Sequence, residues 1–130
     1  MTSRNYILKT FFGAIIIIAN IFSSCSKGKH PSIKIITPTN EQVFNAPDTV
    51  EISADLQDTH DALFSEYLVV TKVNSTNDTV INFQDHTFTG DLYTYHLIKK
   101  FVSEPLTRYK IVVSASGEGF SSDSIFVNAN

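Results

Sequence analysis

The chain has 130 residues, enough for one domain of ordinary size; 42% are hydrophobic and 18% charged, which favours a folded core over disorder. The formal net charge is −3, and every acidic residue follows Ser24. This balance disfavours nucleic-acid binding, which needs clustered Lys and Arg to displace counterions from phosphates.

The first 24 residues have the order of a secretion signal. Arg4 and Lys9 give a positive start, and an apolar run follows from residue 11 to residue 22. The run is short for a transmembrane helix, which needs about 20 residues. Two serines then precede Cys25, the only cysteine of the chain, so an internal disulfide and a thiolate metal cluster are excluded.

This order resembles the lipobox of bacterial lipoproteins, in which the cysteine is acylated and becomes the mature N-terminus. Phe22 departs from the pattern, because the family usually has an aliphatic residue there. The resemblance implies a signal peptide over residues 1–24 and a lipid on Cys25. The alternatives are an uncleaved membrane anchor, or a conventional cleaved signal that leaves a free thiol.

The residues after Cys25 bear on location and on the tether. Ser26 stands where inner-membrane lipoproteins carry Asp, which resembles the signal for release to the outer membrane. Lys27 and Lys29 differ from the acidic cluster of surface-exported lipoproteins of the Bacteroidota, which favours the periplasmic face over the cell surface. Residues 25–32 contain Gly, Pro and charge without apolar periodicity, and we interpret them as a lipidated tether.

Beyond the tether, β-branched runs and turn signals predict seven strands and no helix. The clearest strand is the second, in which apolar and polar residues alternate strictly. The segment Thr39–Asp48 is predicted to be turns. The predicted strands are Ile33–Thr37, Val50–Leu56, Tyr67–Val73, Thr79–Phe83, Tyr93–Val102, Tyr109–Ala115 and Ser124–Val127.

Seven short strands separated by turns predict an all-β fold, an immunoglobulin-like antiparallel β-sandwich over residues 33–130. The segment that begins at Tyr109 looks like the penultimate strand of fibronectin type III domains, where a Tyr opens the strand and Gly closes it, with Leu106 at the same corner. The tryptophan of fibronectin strand B is absent. The predicted core residues are Ile35, Val50, Ile52, Leu56, Val69, Leu97, Tyr109, Ile111, Val113 and Ile125.

With its lipobox and size, the chain resembles the small immunoglobulin-like lipoproteins of the Bacteroidota, a resemblance that implies no activity. The chain has no Gly-x-Ser-x-Gly elbow, no His-Glu-x-x-His motif and no phosphate loop. His96 is predicted to be packed or edge-exposed, and no serine or acid can be assigned to it from the sequence. We therefore predict no catalytic residue and no cofactor.

The nearest candidates for metal ligands are Asp58, His60 and Asp61, joined by Asp85 and His86 if two loops approach each other. Imidazole suits zinc and carboxylates suit calcium, but the spacing is not that of a dedicated calcium loop. A solvated polar turn is the favoured interpretation, so no metal site is predicted.

Three tripeptides that begin at Asp48, Asp78 and Asp123 resemble the O-glycosylation acceptor of exported Bacteroidota proteins. Each has Asp, then Ser or Thr, then an aliphatic residue. The acceptors would be Thr49, Thr79 and Ser124. The alternative is ordinary turn chemistry at the start of a strand, where all three tripeptides are predicted to lie.

The function predicted is that of a non-catalytic envelope lipoprotein, bound to a membrane by its lipid, that binds or scaffolds another protein. The polar loops Gln57–Asp61 and Gln84–Asp91 would supply contacts.

The first alternative is a carbohydrate-binding accessory lipoprotein of a glycan uptake system, and the second is a metal-dependent hydrolase. The aromatic residues that could stack on sugars are Phe83, Phe88, Tyr93 and Tyr95. Strand alternation puts both tyrosines on the side of Leu97 and Phe101, which is predicted to be core, and the chain has no tryptophan.

Overall fold

A computed structural model describes residues 30–60, 62–73, 78–85 and 93–130. Cys25 and the predicted signal peptide lie outside these residues. No helix in the described part of the chain is long and apolar enough to span a membrane. Eight strands are present: β1 (Ser32–Thr37), β2 (Gln42–Phe44), β3 (Thr49–Gln57), β4 (Ser65–Lys72), β5 (Thr79–Asp85), β6 (Thr94–Val102), β7 (Thr107–Ser116) and β8 (Phe120–Ala129).

The strands form two sheets. One has three strands in the order β1-β3-β6, and the other has five in the order β2-β8-β7-β4-β5. Neighbouring strands are antiparallel except for β2 and β8, which run parallel. β6 and β5 are each the outermost strand of their sheet.

The core lies between the two sheets and consists of alternate residues of the central strands. On β3 the inward residues are apolar and the outward residues are mostly polar, as a strand with one wet face requires. Burying a Val, Leu or Ile side chain stabilises the fold by about 1.5–3 kcal/mol. The largest fully buried apolar side chains of this core are Tyr109, Ile52, Leu56, Leu63, Leu68, Leu97 and Ile111.

The predicted corner at Tyr109 is present. The Glu104 backbone N–H donates a hydrogen bond to the Tyr109 hydroxyl at 2.7 Å. The Tyr109 ring packs edge-on against Phe101, with ring centroids 4.9 Å apart. Leu106 belongs to the turn and not to the packing, since its side chain is 86% exposed and its φ of 55° is left-handed.

All seven predicted strands are confirmed, and β2 is an additional strand inside the segment predicted to be turns. β2 is only three residues long and pairs with Val127–Ala129, far along the chain. The Asn40 side chain supports this pairing by accepting a hydrogen bond from the Phe126 N–H at 2.9 Å. Such a strand has no local periodicity, because it depends on a distant partner.

The core prediction was wrong for Val69. Val69 is half-buried on the outer face of β4, while Leu68 and Val70 are buried in the core. The apolar run in this strand does not alternate, and the residue that continues the inward row is the acidic Glu66. Ile35 and Ile125 are partly buried and pack against the core, which contains the remaining predicted positions.

One end of the sandwich contains the ends of β3 and β7 and the starts of β4, β6 and β8. We call it the loop end; its described residues are 58–60, 62–64, 93 and 117–120. β1 also begins there, because Ser32 pairs with Gln57. The turn with Leu106 lies at the opposite end, where Thr107 pairs with Ala129.

Candidate functional site

The outer face of the three-stranded sheet brings together a serine, a histidine and an aspartate. The Ser53 hydroxyl lies 3.2 Å from His96 Nε2, and His96 Nδ1 lies 2.5 Å from Asp55 Oδ1. The arrangement follows from register, since β3 and β6 pair Asp55 with His96 and Ser53 with Ile98. In the tautomer that carries its proton on Nδ1, toward Asp55, the His96 ring accepts a hydrogen bond from the Ser53 hydroxyl at Nε2.

This group has the connectivity of a hydrolase triad but not its surroundings. Ser53 is buried and lies on the central strand β3, whose backbone groups bond to β1 and β6. Acyl transfer needs free backbone N–H groups beside the nucleophile to stabilise the oxyanion. In addition, the Asp55 side chain is half exposed, unlike the buried acid of a working triad. The geometry therefore supports a surface hydrogen-bond network.

The same face carries an exposed aliphatic stripe. Ile98 and Val102 point outward from β6 and are 51% and 61% exposed. Lys100 lies between them and forms an ion pair with Glu51 across the strands, with Nζ 2.9 Å from Oε2. Ile36 of β1 adds a further exposed side chain. We call these residues, together with Ser53, Asp55 and His96, the β6 face.

A shallow cleft of about 460 Å³ lies at the loop-end side of the β6 face. Polar side chains supply most of its lining. The lining residues are Asp55, Leu56, Gln57, Thr94, Tyr95 and His96.

A buried carboxyl group lies inside the sandwich. Glu66 is fully buried on the inward side of β4, where it pairs with Asp85 and Ala115. The pKa of Glu66 is raised to about 7, chiefly by burial; the Tyr95 hydroxyl lowers this pKa, Asp85 raises it and Lys99 lowers it. The Tyr95 hydroxyl is close enough to lower this pKa, but in the described structure neither Glu66 oxygen has a hydrogen-bond partner of standard geometry. A group without solvent access can store a proton but cannot act on a substrate.

The predicted metal candidates are only partly described, because Asp61 and His86 lie outside the described residues. Asp58 is buried and His60 is exposed. Asp58 Oδ1 accepts a hydrogen bond from the His60 backbone N–H at 2.9 Å, as in a polar turn. Among the described residues, no three His, Cys, Asp or Glu side chains are grouped for metal binding.

The three predicted glycosylation acceptors are exposed. Thr49 and Thr79 are the first residues of β3 and β5, but Ser124 lies within β8, so the prediction that all three tripeptides start a strand was wrong for Ser124. Asp48 and Asp123 each accept, at 2.8 Å, the backbone N–H of the acceptor that follows. The aspartates therefore have a local backbone role, whether or not the hydroxyls are modified.

The candidate sugar-stacking residues do not form one platform in the described structure. Tyr93 is exposed, which contradicts its predicted core position, whereas Tyr95 is turned inward toward Glu66. Phe83 is partly buried against the core, and Lys99 Nζ lies 3.7 Å from its ring centroid. Phe88 lies outside the described residues.

The sequence alone could predict only part of the β6 face. Alternation placed Ser53 and Asp55 on one side of their strand, but their contact with His96 depends on the pairing of β3 with β6, some 40 residues away. The exposure of Ile98 and Val102 follows from the same alternation that buried Leu97 and Phe101.

Comparisons with known proteins support the fold. No family model matches the chain, and no curated protein matches it. Eight solved chains match, among them the fibronectin(III)-like modules of CbhA from Clostridium thermocellum, with 15% identity, 79% of this chain covered and a TM-score of 0.52. This chain spans about half, 48%, of the clostridial chain. At that identity the likeness shows the fold alone: this chain contains an all-β sandwich of the fibronectin type III kind.

Proposed function

We propose that this chain is a non-catalytic lipoprotein of the bacterial outer membrane, anchored through Cys25 on the periplasmic face, whose sandwich binds another protein through the β6 face. The exposed stripe of Ile98 and Val102 on β6, the outermost strand of its sheet among the described residues, carries the proposal. Fibronectin type III-like modules are generally binding or spacing domains, which agrees with the position of Ser53 on a central strand whose backbone groups bond to β1 and β6.

The β6 face offers two kinds of contact to an extended segment of a partner. The outer edge of β6 can extend the sheet by backbone hydrogen bonds, as in strand addition. Ile98 and Val102 then provide apolar contacts, while Lys100 and Asp55 add charges that set the register. The partner that fits is a protein segment with alternating apolar residues.

Site-specific photocrosslinking in the native host tests this proposal. A benzophenone amino acid at Val102 is expected to form one saturable crosslinked species, which Ile98→Lys should reduce at least several-fold. Val80→Lys is the matched control, because Val80 is also an exposed aliphatic residue on an outermost strand, β5. Equal crosslinking in the two lysine variants would contradict binding through the β6 face.

Glycan binding is a second candidate because Tyr93 is 46% exposed at the loop end. An aromatic ring so placed can stack on a sugar face. A glycan array gives the comparison: saturable binding that Tyr93→Ala abolishes and Ile98→Lys preserves would favour this function over protein binding.

A further inference from the structure

The exposed aromatic rings of the described structure are concentrated at the loop end. Phe64, Tyr93 and Phe120 are 56%, 46% and 60% exposed. The other large hydrophobic side chains with this degree of exposure are aliphatic, and they lie on sheet faces or on other loops. Within the described surface, the loop end thus differs from the sheet faces by its exposed aromatic rings.

Hydrogen bonds hold the segments with these rings next to the strands of the sandwich. The Phe64 N–H donates to the Ser116 carbonyl at 2.8 Å, and Ser116 pairs with Phe120 across the β7–β8 hairpin. The Tyr93 carbonyl accepts the Asp58 N–H at 2.9 Å. The backbone that presents the rings is therefore fixed to both sheets, and the rings need no ordering of a free loop to make contact.

The tether leaves the domain at this same end. Ser32 is the first residue of β1 and pairs with Gln57, whose neighbour Asp58 is bonded to Tyr93. Six residues lie between Cys25 and Ser32 in the sequence, so the two residues are at most about 25 Å apart when the segment is fully extended. A strand of ten residues such as β8 is about 33 Å long, so the Leu106 end lies about a strand length from Ser32, the residue at which β1 begins.

We propose that the loop end docks on the bilayer to which Cys25 is attached, with Phe64 and Phe120 at the level of the lipid headgroups. This inference rests on the lipid anchorage proposed above. Phenylalanine rings occur on the apolar side of segments that lie at the boundary between lipid headgroups and acyl chains, and a tyrosine ring adds a hydroxyl that stays in the wet region. Lys27 and Lys29 in the tether add attraction to anionic headgroups. Tyr93 lies at the rim of this contact, with its hydroxyl available to the headgroup region.

The experiment uses a single tryptophan as a depth probe, since the chain has no tryptophan of its own. Residues 25–130 contain all eight strands and the complete core, so this form keeps the whole fold. Its only thiol, Cys25, is coupled to a maleimide phospholipid in vesicles that carry brominated acyl chains. The variants are Phe64→Trp and Phe120→Trp, and the matched control is Leu106→Trp at the opposite end.

Docking predicts a blue-shifted emission and at least twofold stronger quenching by the brominated lipid for Trp at positions 64 and 120 than at 106. Aqueous iodide should quench position 106 most. Equal quenching at the three positions would overturn docking and leave the aromatic end free for a protein or glycan partner. Circular dichroism verifies the β-sheet content of each variant.

Amide hydrogen exchange on the unsubstituted coupled protein gives a second readout. Residues 117–120 should exchange several-fold more slowly on vesicles than in solution, while residues 105–107 should not change. No slowing at 117–120 would contradict docking. Because the coupling replaces the natural lipid, failure here is distinct from failure of the proposed lipid anchorage, which the mass of the host-expressed protein tests separately.

Discussion

At the scale of single residues, Glu66 places an ionisable group inside an apolar core. Its pKa is raised from 4.5 to about 7, chiefly by burial. The native state therefore holds a proton that the unfolded chain releases between these two values. The stability linked to this proton is fully present below pH 4.5 and is lost as the pH rises through 7.

We predict that Glu66→Gln removes this pH dependence. Between pH 5 and pH 8, the unsubstituted protein should lose about 2.5 kcal/mol of unfolding free energy relative to Glu66→Gln, because the proton on Glu66 stabilises the native state less as the pH rises. Urea unfolding at the two pH values measures the change. Glu51→Gln is the control, because Glu51 is an exposed carboxylate in a surface ion pair. A difference that stays constant with pH would show that Glu66 is already ionised at pH 5.

His96 shows at the same scale why a contact pattern is not an activity. Its two ring nitrogens have the partners that a hydrolase histidine has. A hydrolase also needs free backbone N–H groups that stabilise the oxyanion. Ser53 lies on the central strand of its sheet, where the backbone N–H groups donate to the neighbouring strands.

At the scale of elements, the turn before β7 depends on one phenolic hydroxyl. The Tyr109 hydroxyl accepts the Glu104 N–H at 2.7 Å in a part-buried position. Tyr109→Phe keeps the ring and its contact with Phe101, but leaves that N–H without its partner. We expect a loss of about 1–2 kcal/mol in unfolding free energy.

Thermal unfolding or urea unfolding measures this loss. The control is Tyr93→Phe, since Tyr93 is exposed and water can replace any partner of its hydroxyl. Equal stability of Tyr109→Phe and the unsubstituted protein would mean that the corner is held by ring packing alone.

The strands that could be predicted from sequence are those with local alternation. β3 was found with its inward face correct, because every second residue there is apolar. β4 was found with its inward and outward faces exchanged, because the acidic Glu66 occupies an inward position and the apolar run Leu68–Val70 does not alternate. β2 was missed because a three-residue strand is defined by its partner, β8. The β6 face was missed for the related reason that contacts across strands depend on register.

At the scale of the whole molecule, the lipid on Cys25 remains the prediction that determines where the domain acts. Protein expressed in the native host should carry the mass of residues 25–130 plus acyl chains, and Cys25→Ala should abolish that addition. Membrane fractionation of Cys25→Ala with the leader removed should find the protein in the soluble fraction.

Ser26→Ala is a matched control for the fractionation, because it changes a neighbouring residue and keeps the thiol. Intact mass in the same experiment also reports any sugar on Thr49, Thr79 or Ser124. A soluble fraction that contains the unsubstituted protein would contradict lipid anchorage, and a mass without added hexoses would contradict glycosylation.

The start of β1 at the loop end has a consequence for how a partner would meet the domain. If the loop end docks on the bilayer as proposed, the strands would stand roughly along the membrane normal, and the outer edge of β6 would face sideways over the lipid. A partner confined to the same leaflet would then search for this edge in two dimensions. Confinement of both proteins to one surface raises their effective concentration, so a contact too weak to persist between freely diffusing molecules could be well occupied there.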